Sequence, residues 1–328
     1  FFHLWNVKRI RPAILGPFDY TREQNTRNLY VSEGMTSYWA AIGLRRSGLW
    51  SKQEYFDDLA KEIKQLQTSP GRKLMSVEQA SWDTWNRSDA ADNNSIDYYN
   101  KGELLGVLLD LEIRYRTKNQ KSLLDVFLYL LKNNGLPKPG FEEKRGFRDA
   151  VELITRQAAP DNADFGDFFA RYVSGVDEVP WNQVLNHAGM ELEERTGLLV
   201  PFIGITTGTS FSPNFHGAPP TFDPIAQGQL AITNVVPGSA AEQAGLATGD
   251  ILASLDGQRV NSENFEPLWN HKKAGTTATF TVLRGERLLT VPVVVGQSQA
   301  IDYSIKEEPG AHGLQTVIRE SWLGEKKP

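Results

Sequence analysis

At 328 residues the chain is long enough for two or three domains with their own cores, and with 40% hydrophobic and 23% charged residues its composition is that of an ordinary globular protein. The net charge of -5, without any Lys/Arg block, argues against a nucleic-acid surface, and no apolar run approaches the length that spans a bilayer. Cys is absent, which excludes disulfides and thiolate metal ligands, so any metal must be held by His and carboxylate.

The chain opens Phe1-Phe2-His3-Leu4-Trp5-Asn6-Val7. No Met precedes this, and two Phe residues make a poor natural N-terminus, so the chain is expected to begin two residues late. With His-Glu in front, the opening reads H-E-F-F-H-L-W-N. That is the H-E-x-x-H motif of zinc hydrolases, with His3 as its second histidine. Two histidines four apart share one helix face and chelate one ion, and the Glu after the first is the general base. Phe1, Phe2 and Trp5 are expected to lack packing partners. Lys8, Arg9 and Arg11 form a basic cluster expected to pair with carboxylates such as Asp19 or Glu23.

A third ligand would sit on a second helix downstream. Glu33 is the candidate, in Tyr30-Val31-Ser32-Glu33-Gly34, with Trp39, Ala40 and Ile42 following at helical spacing. Its residues also allow a plainer reading, in which Ser32 is an N-cap and Glu33 a first-turn carboxylate favoured by the helix dipole. Both readings stand at this point. Ser51-Lys52-Gln53-Glu54 is a capping box opening a helix with Phe56, Leu59, Ile63 and Leu66 on one face, stopped by Pro70-Gly71. Ser76 and Gln79 form a second box. Tyr98 to Arg116 is apolar on nearly all sides and predicts the central buried helix. Ser122 to Asp125 opens a helix that ends at Asn133-Asn134-Gly135, and 147–157 and 164–174 predict two more. Tyr99, in Tyr98-Tyr99-Asn100-Lys101-Gly102, can donate a hydrogen bond to a tetrahedral oxyanion. Alternatively it packs at a helix start, with Gly102 allowing close helix contact.

From about 195 the chain turns rich in Gly, Thr and Val with strand-like alternation. Residues 206–228 read as a loop inserted into a second domain. Pro237-Gly238-Ser239 through Gly249-Asp250-Ile251-Leu252 and Asp256-Gly257 predicts a short helix ending at Gly245, a tight turn into a strand and a hairpin turn. His187, His216, His271 and His312 have no partner at ligand spacing. A G-x-S-x-G elbow and a phosphate-binding Gly loop are both missing, which disfavours a serine hydrolase or nucleotide enzyme.

The order H-E-x-x-H, then S-E-G at a helix start, then Y-x-K-G resembles the aminopeptidase N superfamily of gluzincins. FFHLWNVKRIRP, LGPFDYTREQNTRNLYVSEGMTSYWA, DYYNKGELLGVLLDLEIRYRT and PWNQVLNHAGM are similar to the glycyl aminopeptidase family, whose members join a thermolysin-like catalytic domain to a PDZ domain. The resemblance runs to Glu320-Ser321-Trp322-Leu323. It implies an α+β chain of mainly helical thermolysin-like C-terminal subdomain (1–194), β-rich PDZ domain (195–297) and C-terminal tail (298–328). It implies His3 and Glu33 as zinc ligands and Tyr99, ahead of Tyr98, as the transition-state tyrosine. The activity implied is removal of small N-terminal residues, Gly or Ala, from peptides by a bacterial metallopeptidase, in the periplasm or outside the cell in preference to the cytoplasm. That activity is expected of the longer parent, and the fragment alone is expected to be inactive and to hold Zn2+ weakly or not at all. The PDZ pattern places a terminal-carboxylate loop at Phe202, Ile203, Gly204 and Ile205, flanked by a helix with Phe265 and Leu268. There the domain either binds a peptide or braces the catalytic helices. The competing reading of the whole chain is a non-catalytic PDZ peptide-binding protein descended from an inactive protease.

Overall fold

The computed structural model describes residues 1–86, 91–208 and 229–325. Two compact units emerge: Phe1–Arg195 together with Tyr303 onward, and Thr196–Asp302. The sequence reading divides the chain at 194/195 and 297/298, and these units divide it at 195/196 and 302/303. Residues to Asp302 go with the second unit, and the remainder belongs to the first.

The first unit is helical. Its elements are α1 (Met35–Arg46), α2 (Lys52–Thr68), α3 (Val77–Trp82), α4 (Ala91–Asn94), α5 (Tyr98–Arg116), α6 (Leu123–Asn134), α7 (Gly146–Arg156), α8 (Gly166–Phe168) and α9 (Trp181–Leu185). The capping box of α2 is complete. Glu54 N–H donates to Ser51 Oγ at 3.2 Å and Ser51 N–H to the Glu54 carboxylate at 2.7 Å. Its apolar face, Phe56, Leu59, Ile63 and Leu66, is buried. Ser76 likewise caps α3 through Gln79 N–H. The segment expected at 164–174 is α8 continued by a π-helical turn over Phe169–Val173.

Helix α5 is the axis of this unit. Leu104, Leu105, Val107, Leu108, Leu109, Leu111 and Ile113 are all buried, so nearly every face meets another element. Burial of this kind is roughly 1.5–3 kcal/mol per large apolar side chain, which outweighs any propensity difference along the helix. The C-terminal helix Leu314–Leu323 joins the same core through Ile318, Trp322 and Leu323. Trp322 Nε1–H donates to Tyr38 Oη at 3.1 Å, and Tyr38 Oη–H to the buried Asp110 carboxylate at 2.6 Å.

The second unit is a β-sheet with two short helices. After β1 (Met190–Phe202), the sheet comprises β2 (Ile205–Gly208), β3 (Leu230–Val235), β4 (Ile251–Leu255), β5 (Gln258–Arg259), β6 (Thr277–Arg284) and β7 (Arg287–Val294). Its order is β2-β3-β4-β6-β7, with β5 paired to β4. Strand β8 (Gly296–Glu307) pairs with β1 in a separate two-stranded sheet. Helix α10 (Ala240–Ala244) ends at Gly245 with φ 85°, and Asp256-Gly257, both at positive φ, turns β4 into β5. Buried Asp250 accepts from the Arg284 guanidinium at 2.6 and 2.7 Å, fixing the turn that the Gly-Asp pair announces. Thr206, Thr207 and Gly208, expected in a loop, lie in β2; the rest of that expected loop, 209–228, is outside the described residues. Among the described residues no helix is long and apolar enough to cross a membrane.

Glu103 on α5 is partly buried near Glu62 and Asp58 of α2, and burial followed by those two charges pushes its carboxyl up to about 8. The native state therefore keeps a proton that the unfolded chain releases near pH 4.5, and stability falls as pH rises from there to 8. Glu103→Gln is expected to remove that slope. Urea unfolding should find the variant about 1–2 kcal/mol more stable than native at pH 8, with the two converging near pH 4.

Candidate functional site

His3 lies in a short 3-10 turn, Phe2–Leu4. Phe2 does find partners, stacking on Trp39 at 5.3 Å and meeting Phe127 edge-on at 5.6 Å, whereas Phe1 is fully exposed. The His3 ring is held at one side by Nδ1, 3.1 Å from the Asn6 carbonyl oxygen. A carbonyl can only accept, so Nδ1 carries a proton. The other nitrogen, Nε2, lies 3.1 Å from Glu33 Oε2. The following Val7 has φ 84°, a left-handed conformation costing a β-branched residue about 1–3 kcal/mol.

Glu33 sits in a π-helical turn, Tyr30–Gly34, that runs into α1. Ser32 is buried inside that turn and caps nothing, so the N-cap reading of Ser32 fails. Met35 N–H reaches back to Tyr30 C=O, which takes from Val31 C=O the donor it would have in an α-helix. Asn6 supplies the replacement. Its side-chain amide donates to Val31 C=O at 2.7 Å, Ser32 C=O at 3.1 Å and Thr36 Oγ1 at 3.1 Å.

Tyr99 comes from the first turn of α5, where Asp97 caps the helix by accepting Tyr99 N–H at 2.7 Å. Gly34 and Gly102 let the two segments touch. A Cβ on Gly34 would lie 2.4 Å from Gly102 Cα, and one on Gly102 would lie 2.5 Å from Tyr30 O. This contact brings Tyr99 close enough to Glu33 for the carboxylate to act on its phenol. Burial, the Glu33 carboxylate and Tyr98 together push the phenol well above its usual range, so it remains a donor at any physiological pH. Tyr98 instead has its hydroxyl 3.2 Å from Thr84 Oγ1.

The pair fits two positions of a zinc site. Ligands about 2.0–2.2 Å from a tetrahedral ion stand roughly 3.4 Å apart, close to the His3–Glu33 separation of 3.1 Å. With Nδ1–H committed to Asn6, a carboxylate facing Nε2 requires either a second proton or a cation between them. Among the described residues no third His, Asp or Glu joins the pair.

The basic cluster does not pair as expected. Asp19 is bonded to Arg22 and Thr21, Arg9 lies over the Trp5 ring at 5.7 Å, and Arg11 packs against Gly16. His187 has a partner after all, Glu112 at 2.9 Å, and stacks on Tyr115. His271 and His312 contact local carbonyls, and His216 lies outside the described residues. Sequence reasoning missed Asn6. Its signal was a carboxamide inside an apolar run, three residues after His3.

In the second unit β2 is, among the described residues, an edge strand. Ile203 C=O accepts from Ala241 N–H at 3.0 Å and Gly204 C=O from Val236 N–H at 2.8 Å. Because each peptide is planar and trans, Gly204 N–H and Ile205 N–H point the opposite way. Phe202 is exposed, Ile205 and Leu268 are half-buried, and Ile203, Gly204 and Phe265 are buried. The last two residue types thus differ in duty: Phe265, on α11 (Phe265–Asn270), is core, while Leu268 is available at the surface. Trp269 Nε1–H donates to Pro201 C=O at 3.1 Å, tying that helix to the loop.

A helical unit with these residues together and a β-rich unit of this topology define a peptidase-related chain with a PDZ domain. Residues 1–105 match the family model of the M61 glycyl aminopeptidases, and residues 198–295 match the PDZ domain. Among solved structures, an aminopeptidase N family protein from Idiomarina loihiensis superposes with a TM-score of 0.78 at 22% identity, over 98% of this chain and 53% of that one. The chain thus spans about half the length of that relative, and the likeness establishes the fold. A serine endoprotease from Yersinia pestis matches 30% of each chain at 19% identity, with a TM-score of 0.23 too low to carry an argument. No curated protein matches the chain.

Gly102→Ala tests the contact that joins Glu33 to Tyr99. Alanine gains about 1 kcal/mol in helix propensity, but its Cβ meets immovable backbone, so a net loss of about 2 kcal/mol is expected in chemical unfolding. Gly43→Ala in α1, where a Cβ meets nothing within 4 Å, is the control and is expected to be neutral or slightly stabilising.

Proposed function

We propose that this chain is the C-terminal part of a zinc-dependent metallo-aminopeptidase that removes small N-terminal residues, Gly or Ala, from peptides. The observation that carries the reading is the convergence of His3 Nε2, Glu33 Oε2 and the Tyr99 phenol. His3 and Glu33 would hold the zinc ion, with an upstream His-Glu supplying the other His ligand and the general base. Zinc bound there would act as a Lewis acid on the scissile carbonyl. The residues of this chain do the remaining work described here. Asn6 C=O turns the His3 ring so that Nε2 faces the site. The Tyr99 phenol keeps its proton and donates it in a hydrogen bond to the oxygen on which negative charge develops. The free edge of β2 and the Gly204 and Ile205 amides support peptide capture by strand addition in the PDZ domain, and they alone would remain relevant if the chain were a non-catalytic binder.

The test uses the protein extended upstream of Phe1, incubated with zinc and the p-nitroanilides of Gly, Ala and Leu. Zinc-dependent release, fastest with Gly or Ala and abolished in Glu33→Ala, is expected. Equal zinc binding and equal hydrolysis in the variant would overturn the assignment of Glu33. Tyr99→Phe is expected to lower kcat about 100-fold with little change in KM, since the lost hydrogen bond strengthens only as charge develops. The 328-residue chain alone is expected to be inactive and to bind zinc weakly, and stoichiometric zinc at nanomolar affinity in a calorimetric titration would refute that.

A further inference from the structure

We propose that Asn6 is the positioning residue that fixes His3 and Glu33 relative to one another; the inference rests on their proposed role as ligands. Asn6 touches both sides of the site. Its backbone carbonyl accepts from His3 Nδ1–H. Its side-chain amide donates to Val31 C=O and Ser32 C=O, immediately before Glu33 in the π turn, and to Thr36 Oγ1 just beyond it. Asn6 is fully buried, and among the described residues its Oδ1 has no hydrogen-bond partner.

An apolar side chain would be easier to bury in this place. A carboxamide is retained where its two N–H groups are needed, and here they serve the Val31 carbonyl, whose α-helical donor the π turn has displaced, and the Ser32 carbonyl beside it. Thr36 Oγ1–H is itself committed to Ser32 C=O at 2.8 Å, so the Asn6 amide must donate to that hydroxyl, which fixes the amide's orientation. The strained Val7 next to it holds the backbone so that the Asn6 carbonyl turns back to His3. Each ligand is thus anchored to the same residue, one through its main chain and the other through its side chain. Partners of this kind commonly change metal affinity 10–100-fold when removed.

Hydrogen exchange on the 328-residue chain tests this without metal or substrate. Asn6→Leu is expected to speed exchange of the amides of residues 31–36 by about tenfold or more, while those of residues 105–113 stay within about twofold. Acceleration spread evenly along the chain, or none at 31–36, would overturn the proposal. If the variant does not fold, the native chain decides. Its Asn6 side-chain amide protons must exchange slowly and show coupling across the hydrogen bond to the Val31 carbonyl carbon, and fast exchange without coupling would overturn the inference equally. In the protein extended upstream, Asn6→Leu is expected to weaken zinc binding about 10–100-fold, whereas Thr36→Val, which leaves both carbonyl contacts, weakens it less than about threefold. Local exchange as expected, in an extended protein that neither binds zinc nor hydrolyses, would support the positioning role and count only against the proposed activity. Zinc-dependent hydrolysis with exchange indifferent to Asn6 would do the reverse.

Discussion

Two backbones touch where Gly34 meets Gly102, and the geometry of the candidate site follows from that contact. One backbone is the π turn that carries Glu33, and the other is the first part of α5, which carries Tyr99. Any side chain at either glycine would push the segments apart by about 1 Å, enough to stretch a hydrogen bond beyond its usual length, since the added atom would lie 2.4–3.0 Å from main-chain atoms that cannot rotate away. The approach continues one turn later, where Gly106 packs against the Tyr38 ring. The small residues of α5 therefore form a seat for α1 and the turn before it, while its leucines build the core on the other faces.

A buried carboxylate secures the far end of the same pair of helices. Asp110 accepts from Tyr38 on α1, from the Arg114 guanidinium one turn along α5, and from Leu123 N–H at the start of α6. Trp322 from the C-terminal helix donates to the same Tyr38 hydroxyl, and Ser321 accepts from Arg114. Removing a partner from such a buried cluster leaves charge without compensation, so its members are more costly to change than any surface ion pair of the chain. The cluster also explains why a polar-looking C-terminal segment belongs to the helical unit. Its Trp and Ser meet Tyr38 of α1, Arg114 of α5 and, ring edge to face, Tyr55 of α2.

Local chemistry made much of this legible. The box at Ser51 and Glu54, the Asp256-Gly257 hairpin and the apolar run Tyr98–Arg116 each express one short-range rule, and each stands where that rule puts it. The positions of His3, Glu33 and Tyr99 were legible only as a resemblance, because their approach depends on segments far apart in sequence meeting at two glycines. The π turn could not be read at all. Its residues suit an ordinary helix start, and the side chain that meets its freed carbonyl, Asn6, lies some 25 residues upstream. The division of the segment after 298 was hidden for a similar reason, since β8 pairs with β1 across about a hundred residues. Around the loop and helix that the PDZ resemblance singled out, the sequence did not tell which residues face outward. Phe265 and Ile203 proved to be core, and Leu268 and Phe202 remain at the surface.

The electrostatics of the site fit a place for a cation. Beside the Glu33 carboxylate, which can accept several hydrogen bonds, stand the His3 ring nitrogen and the Tyr99 phenol. The His3 ring has its Nδ1 proton spoken for, so Nε2 meets Glu33 favourably only when something positive lies between them. A divalent cation between them would meet that requirement. His3 and Glu33 stand 3.1 Å apart, near the separation that two ligands of a tetrahedral ion take, so a cation there would need little rearrangement, and Tyr99, kept protonated by its surroundings, would remain a donor beside it.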